Sequence, residues 1–201
     1  MACGADFVAL ARGPAGLELV STHSSLFQPR QPVALPPYSE ATAVAVVGHV
    51  VVVGLSTGYV LFADASLGAS LPPVRLPGNQ PVSGLCIRGM RVFVAAQNAL
   101  TTLSLSTFSV VSSSITLPHE ALDIFCGTSH ALVTHNQGFD VVNLTVDPPV
   151  VIRQFSTSQY FSNAVMGSDT LVVAAAGPTL HDLRVQLYNL TDSRLICGLF
   201  A

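Results

Sequence analysis

The 201-residue chain has no tryptophan and no lysine; its eight basic residues are all arginine, set against eleven carboxylates for a net charge of −3. A chain so poor in cations offers no basic stripe to neutralise nucleic-acid phosphates, so nucleic acid is excluded as a partner class. It offers no polybasic patch for an anionic membrane surface either. Charged residues make up only 9% of the chain against a usual quarter or so, while half the residues are hydrophobic. Long disordered segments are therefore excluded, and most side chains must pack inward. Helical periodicity is also missing. Apolar runs of four to six residues alternate with glycine, proline, serine and asparagine, which leaves no window for an amphipathic helix.

Cysteine is sparse. Cys3, Cys86, Cys126 and Cys197 are widely spaced and form no C-x-x-C pair, which excludes a zinc knuckle and a thioredoxin-type site. The first ten residues include Asp6 and lack the basic start of a secretory signal. We therefore expect four reduced, mostly buried thiols and a cytoplasmic location. Two N-x-T sequons, at Asn143 and Asn189, read as polar residues at strand ends. Ala41 to Ala63 carries no charged residue over 23 positions, a length that fits a membrane-spanning helix. Its glycines and its run Val50 to Val53 favour pleated strands over a membrane span.

What is present is a repeat. Gly4, Gly48, Gly89, Gly127 and Gly167 each precede a strand-like run, at spacings of 44, 41, 38 and 40 residues. A second marker keeps the same phase: Val33-Ala34-Leu35-Pro36, Val74-Arg75-Leu76-Pro77 and Ile115-Thr116-Leu117-Pro118 recur every 41 residues. These bound five units at about 4–47, 48–88, 89–126, 127–166 and 167–201 of one domain. Each unit holds four short strands, and four antiparallel strands in about forty residues are the size of one propeller blade. The predicted fold is all-β: a β-propeller, or part of one, of about five four-stranded antiparallel blades. Central blade strands are covered on both faces, which accounts for valine and leucine runs in place of alternation.

The fourth unit, Gly127-Thr128-Ser129-His130-Ala131-Leu132-Val133 through Phe139-Asp140-Val141-Val142-Asn143-Leu144, resembles the blade pattern of LVIVD-type and WD40-like propellers. The resemblance implies a radial fold used as a docking platform. With three residues ahead of Gly4, the first unit is expected to lack its innermost strand, for nineteen strands in all, and the open blade edges to recruit a partner polypeptide or a second copy by strand addition.

Candidate chemistry is thin. Gly54-Leu55-Ser56-Thr57-Gly58 matches the nucleophile elbow G-x-S-x-G, but its context is strand, turn, strand, and it reads as a hairpin turn. His119, His130 and His135 share one unit and would ligate zinc only if they converged; His130 and His135, five apart, fall on opposite faces of a regular strand. Glu120 with Asp123, and Asp182 with Asp192, read as solvated loop charges. Arg75, Arg88 and Arg91 are the candidate partner-binding residues, through bidentate contacts to an acidic peptide. No catalytic, cofactor or metal residue is expected. The reading favours a non-enzymatic protein-interaction platform or assembly subunit over a propeller hydrolase or lyase with an axial site, and over a membrane-associated component.

Overall fold

The computed structural model describes the backbone of residues 1–4, 6–22, 28–29, 33–67, 69–156, 160–168, 171–177, 184–189 and 194–199. The chain is all-β, as the short apolar runs predict, and the single helical turn among the described residues is a 3-10 turn at Pro77–Asn79. Five antiparallel sheets follow one another along the sequence. The first contains β1 (Ala2–Cys3), β2 (Phe7–Ala11), β3 (Leu17–Ser21) and β4 (Gln28–Pro29). The second contains β5 (Ala41–Val47), β6 (Val50–Leu55) and β7 (Tyr59–Asp64), with the short β8 (Ala69–Ser70) and β9 (Val74–Arg75) both paired to β7. The third is β10 (Gly84–Arg88), β11 (Arg91–Ala96), β12 (Ala99–Ser104) and β13 (Ser109–Thr116). The fourth is β14 (Asp123–Cys126), β15 (His130–His135), β16 (Gly138–Asn143) and β17 (Val150–Ser156). The fifth is β18 (Tyr160–Ser168), β19 (Leu171–Gly177), β20 (Arg184–Asn189) and β21 (Arg194–Leu199). In each sheet neighbouring strands pair in sequence order, the arrangement of a propeller blade.

Two of the expectations need correction. The first sheet does have an innermost strand: Ala2 and Cys3 pair with Ala9 and Val8 of β2, so two residues ahead of Gly4 are enough to form it. The described strands number twenty-one rather than nineteen, because β1 adds one and the second sheet, by splitting its outer edge into β8 and β9, adds another. The stretch Ala41 to Ala63 becomes β5, β6 and most of β7, and no helix among the described residues is long and apolar enough to cross a membrane.

The two sequence markers have distinct structural origins. Gly48 and Gly89 sit in the tight turn between the first and second strands of their sheets at φ +57°, in the left-handed region that glycine adopts without penalty. Each sheet therefore begins one strand ahead of its marker glycine. The Leu-Pro marker lies where the outer edge of a blade hands over to the next: Leu76 and Leu117 are buried there, and their N–H groups donate to the carbonyls of Gly58 and Asn98.

The core lies between blades, and the period of two in each central strand divides it. In β6, Val51, Val53 and Leu55 pack against Phe7, Leu17 and Leu19 of the first blade, whereas Val52 faces Val92, Val94 and Leu103 of the third. In β11 the same valines face back, while Phe93 and Ala95 face forward onto Ala131 and Val133 of the fourth blade. Leu132, Phe139 and Val141 continue the series onto Ala164 and Val172 of the fifth. A strand buried on both faces has no solvent side on which to place a charge. That geometry is why the chain carries so few.

One covalent bond crosses the blades. Cys86 of β10 and Cys126 of β14, Cα atoms 5.5 Å apart and 40 residues apart in sequence, form a disulfide. This overturns the expectation of four reduced thiols. The two cysteines lie on successive innermost strands and both face the core between the third and fourth blades, Cys86 forward and Cys126 back, and the packing of β10 on β14 brings them together. Cys3 is free and exposed; the side chain of Cys197 lies outside the described residues.

Candidate functional site

Three places concentrate chemistry or open surface. The first is the axial channel, a cavity of 460 Å³ lined by Ala2 and Cys3 of β1, Thr42 to Val46 of β5, Leu85 to Ile87 of β10, Asp123 to Cys126 of β14 and Met166 of β18. The first strand of all five sheets thus contributes to one wall. Among the described lining residues Asp123 is the one carboxylate, and its Oδ1 accepts the Ile124 N–H at 2.8 Å. Burial pushes this carboxyl up, with the Ile124 N–H and the N-terminal charge pulling it partway back. Glu120, its neighbour in sequence, lines a different cleft, so the two carboxylates do not converge. Asp182 and Asp192 lie outside the described residues.

The second place is an apolar cleft of 290 Å³ between the second and third blades, lined by Val50, Phe62, Ala63, Leu67, Leu71 and Phe108. Its floor is rigid: Phe62 is buried and packs edge to face with Phe108, ring centroids 5.2 Å apart. Phe108 holds φ +50° to reach it, a conformation rarely adopted by an aromatic residue. The rim is the reverse, with Leu67 77% exposed in the turn after β7. That turn is tied down by Asp64, whose Oδ1 accepts the Ser66 hydroxyl at 2.5 Å and the Ser66 and Leu67 N–H groups at 2.8 and 3.2 Å; the Ser66 hydroxyl first, then these N–H groups, hold its carboxyl below the usual range.

The third place lies between the third and fourth blades, at the turns that join the second and third strands of each. His135 ends β15 and pairs with Gly138 across the Asn136-Gln137 turn; Asp140, two residues beyond Gly138, therefore shares its face. On that face Ala131, Val133 and Val142 join the core toward the third blade, so His135 and Asp140 are buried with them. The 117–122 connection brings His119 over the pair. Its Leu117 and Ala121 N–H groups donate to the Asn98 and Gln97 carbonyls at 2.8 and 2.9 Å, and Leu117 and Ala121 are buried on either side. The His119 and His135 rings stack at 3.9 Å. His119 Nδ1 stands 3.5 Å from Asp140 Oδ2, and His135 Nε2 stands 3.9 Å from Asp140 Oδ1. Burial, with the neighbouring His119, lowers His135 to about 4, so the ring is neutral at pH 7; burial raises the Asp140 carboxyl, with His119 opposing.

Of the three histidines considered from sequence, two thus come together. His130 stays apart on the opposite face of β15, its Nδ1 paired with the Ser129 hydroxyl at 2.9 Å. Asp140 was missed because strands were read one at a time. The signal was a two-residue turn, which fixes the register and makes an odd spacing of five across the hairpin a same-face pair.

The candidate arginines are engaged within the chain. Arg88 Nη1 donates to the Leu144 carbonyl at 2.9 Å, and Arg91 pairs with Asp147 at 3.0 Å, so both reach from the third blade to the loop after β16. Arg75 Nε donates to Asn79 Oδ1. The G-x-S-x-G segment is a turn between β6 and β7: Ser56 Oγ accepts the Glu40 N–H at 3.0 Å, and the Thr57 hydroxyl lies 3.0 Å from that of Ser39. Asn143 caps its strand by accepting the Thr145 N–H and hydroxyl at 2.8 and 2.7 Å.

No known family profile matches the chain, and no curated protein matches it in sequence. Solved structures do match in shape. One is a chain of Kuenenia stuttgartiensis hydrazine synthase, with a TM-score of 0.66 at 14% identity, covering 80% of this chain and 49% of that one. Another is the computationally designed Ika8 protein, with a TM-score of 0.72 at 12% identity, covering 98% of this chain and 60% of that one. The chain spans less than two thirds of either. At such identities the likeness is one of fold, and the fold it shares with them is the propeller-like all-β architecture built above.

Proposed function

We propose that the chain is a non-enzymatic protein-interaction platform or assembly subunit, and that it docks a partner polypeptide at the apolar cleft between its second and third blades. The carrying observation is the contrast within that cleft: a rigid floor of Phe62 and Phe108 beneath an exposed Leu67. Interfaces draw their energy from a few apolar anchors seated in preformed pockets, and 290 Å³ is room for such an anchor. The low charge of the surrounding blades suits a partner read by shape and apolar contact. Arg75, Arg88 and Arg91 then serve as blade braces ahead of any role in binding. The order of strands and breakers relates the blades to LVIVD-type and WD40-like propellers. On location the proposal departs from the cytoplasm expected from sequence, because the Cys86–Cys126 disulfide suits an oxidising compartment.

The test is affinity purification of the full chain with identification of what co-purifies, run beside Leu67→Glu. Leu67 is exposed, so the charge leaves the fold intact while closing the cleft to apolar contact. Partners held at the cleft are lost from the variant by at least about tenfold, the equivalent of about 1.4 kcal/mol. An unchanged set of partners would remove the cleft from the account.

A further inference from the structure

Asp140 is fully buried, and neither of its oxygens has a hydrogen-bond partner. The atoms that face it, His119 Nδ1 and His135 Nε2, have none either. Buried carboxylates and imidazoles are normally satisfied, so four such atoms gathered in one place require an explanation. A His-carboxylate hydrogen bond is too short to be that explanation: charge-assisted bonds span about 2.7–2.9 Å, whereas these pairs stand at 3.5 and 3.9 Å. The separation is that of ligands across an ion. Two donors each about 2.1 Å from a tetrahedral zinc lie about 3.4 Å apart. One donor atom from each of the three residues falls within 4.8 Å of the others.

We propose that His119, His135 and Asp140 bind a divalent transition-metal ion, of which zinc is the type, through two imidazole nitrogens and one carboxylate. Imidazole with carboxylate selects that class over magnesium or calcium, which prefer oxygen alone. A cleft of 250 Å³, which Asn98, Glu120 and Gln137 also line, opens over His119 and His135 and gives the ion an entry path and an open coordination position. The buried His135 and Asp140 are held by the core, but a metal lies in the plane of each imidazole that binds it, so the part-exposed His119 ring must tilt out of its stack on His135 when the ion binds. A second contact must change on loading. His135 Nδ1 accepts the Gln137 N–H at 3.2 Å, and coordination through Nε2 moves the ring proton to Nδ1, so that long bond breaks and the Gln137 amide reports binding.

The experiment is calorimetric titration of the chelator-treated full chain with Zn²⁺, alongside amide NMR. One ion per chain is expected, with a shift of the Gln137 amide. His119→Ala removes a ligand that is part-exposed and lies in a loop, so the fold survives, and it weakens binding at least about 100-fold. Asp140→Asn is expected to do the same; should it fail to fold, His119→Ala carries the test alone. His130→Ala, outside the cluster, binds as the parent does. No zinc uptake by the parent chain, or uptake unaltered by His119→Ala, would overturn the site.

Discussion

The Asp123 carboxyl, on the wall of the axial channel, is pushed above its ordinary value of 3.8 by burial, against the Ile124 N–H and the N-terminal charge. Its sign for stability follows from linkage. Between 3.8 and the raised folded value the folded chain holds more protons than the unfolded one, so the group's contribution is complete below 3.8 and is lost as pH rises through the folded value. Asp123→Asn keeps an acceptor for the Ile124 N–H and removes the charge. Urea denaturation at several pH values should find the variant more stable than the parent at pH 7, with the gap closing toward pH 3. A gap of constant size would mean that the charge is not the cause. At this scale the sequence was only half legible. Residue types were visible, but Arg88 and Arg91, read as flanking a turn, reach the next blade more than fifty positions away. No local spacing encodes such a contact.

Between strands, the G-x-S-x-G turn shows what the glycines are for. Gly58 sits at φ +77°, and a Cβ there would stand 2.5 Å from the Asn79 carbonyl carbon, part of the 3-10 turn that returns beneath β7. Backbone against backbone leaves nothing flexible to yield. Gly58→Ala is expected to cost at least about 2 kcal/mol, read as a lower urea midpoint, from the left-handed conformation and the clash together. A change within about 0.5 kcal/mol would show that the approach is loose. Elements were the most legible level. Short apolar runs, a glycine at each first turn and a Leu-Pro at each exit located the strands of the middle blades. The edges were less legible: β1 is two residues long, and the second blade's outer edge is split. A two-residue strand has no periodicity to detect.

For the molecule as a whole, the repeat period near forty residues becomes the step from one blade to the next, and the division of valines between two neighbours follows from it. The disulfide joins adjacent inner strands at the interface that this step creates. The repeat does not align Cys86 with Cys126, since Cys86 stands three residues before Gly89 and Cys126 one before Gly127; which faces of the two strands meet was not legible in the spacing. Closing a loop of this length is worth about 4 kcal/mol in the chain-entropy description, so reduction should lower stability by about 2–4 kcal/mol. The most direct check on the account, that the sequence repeat is the blade-to-blade step about an axis, is to digest the unreduced, alkylated protein and map its linked peptides. A peptide pair joined through Cys86 and Cys126 is expected, with Cys3 alkylated. Recovery of Cys86 and Cys126 as separate alkylated peptides, or of either joined to Cys3 or Cys197, would contradict it.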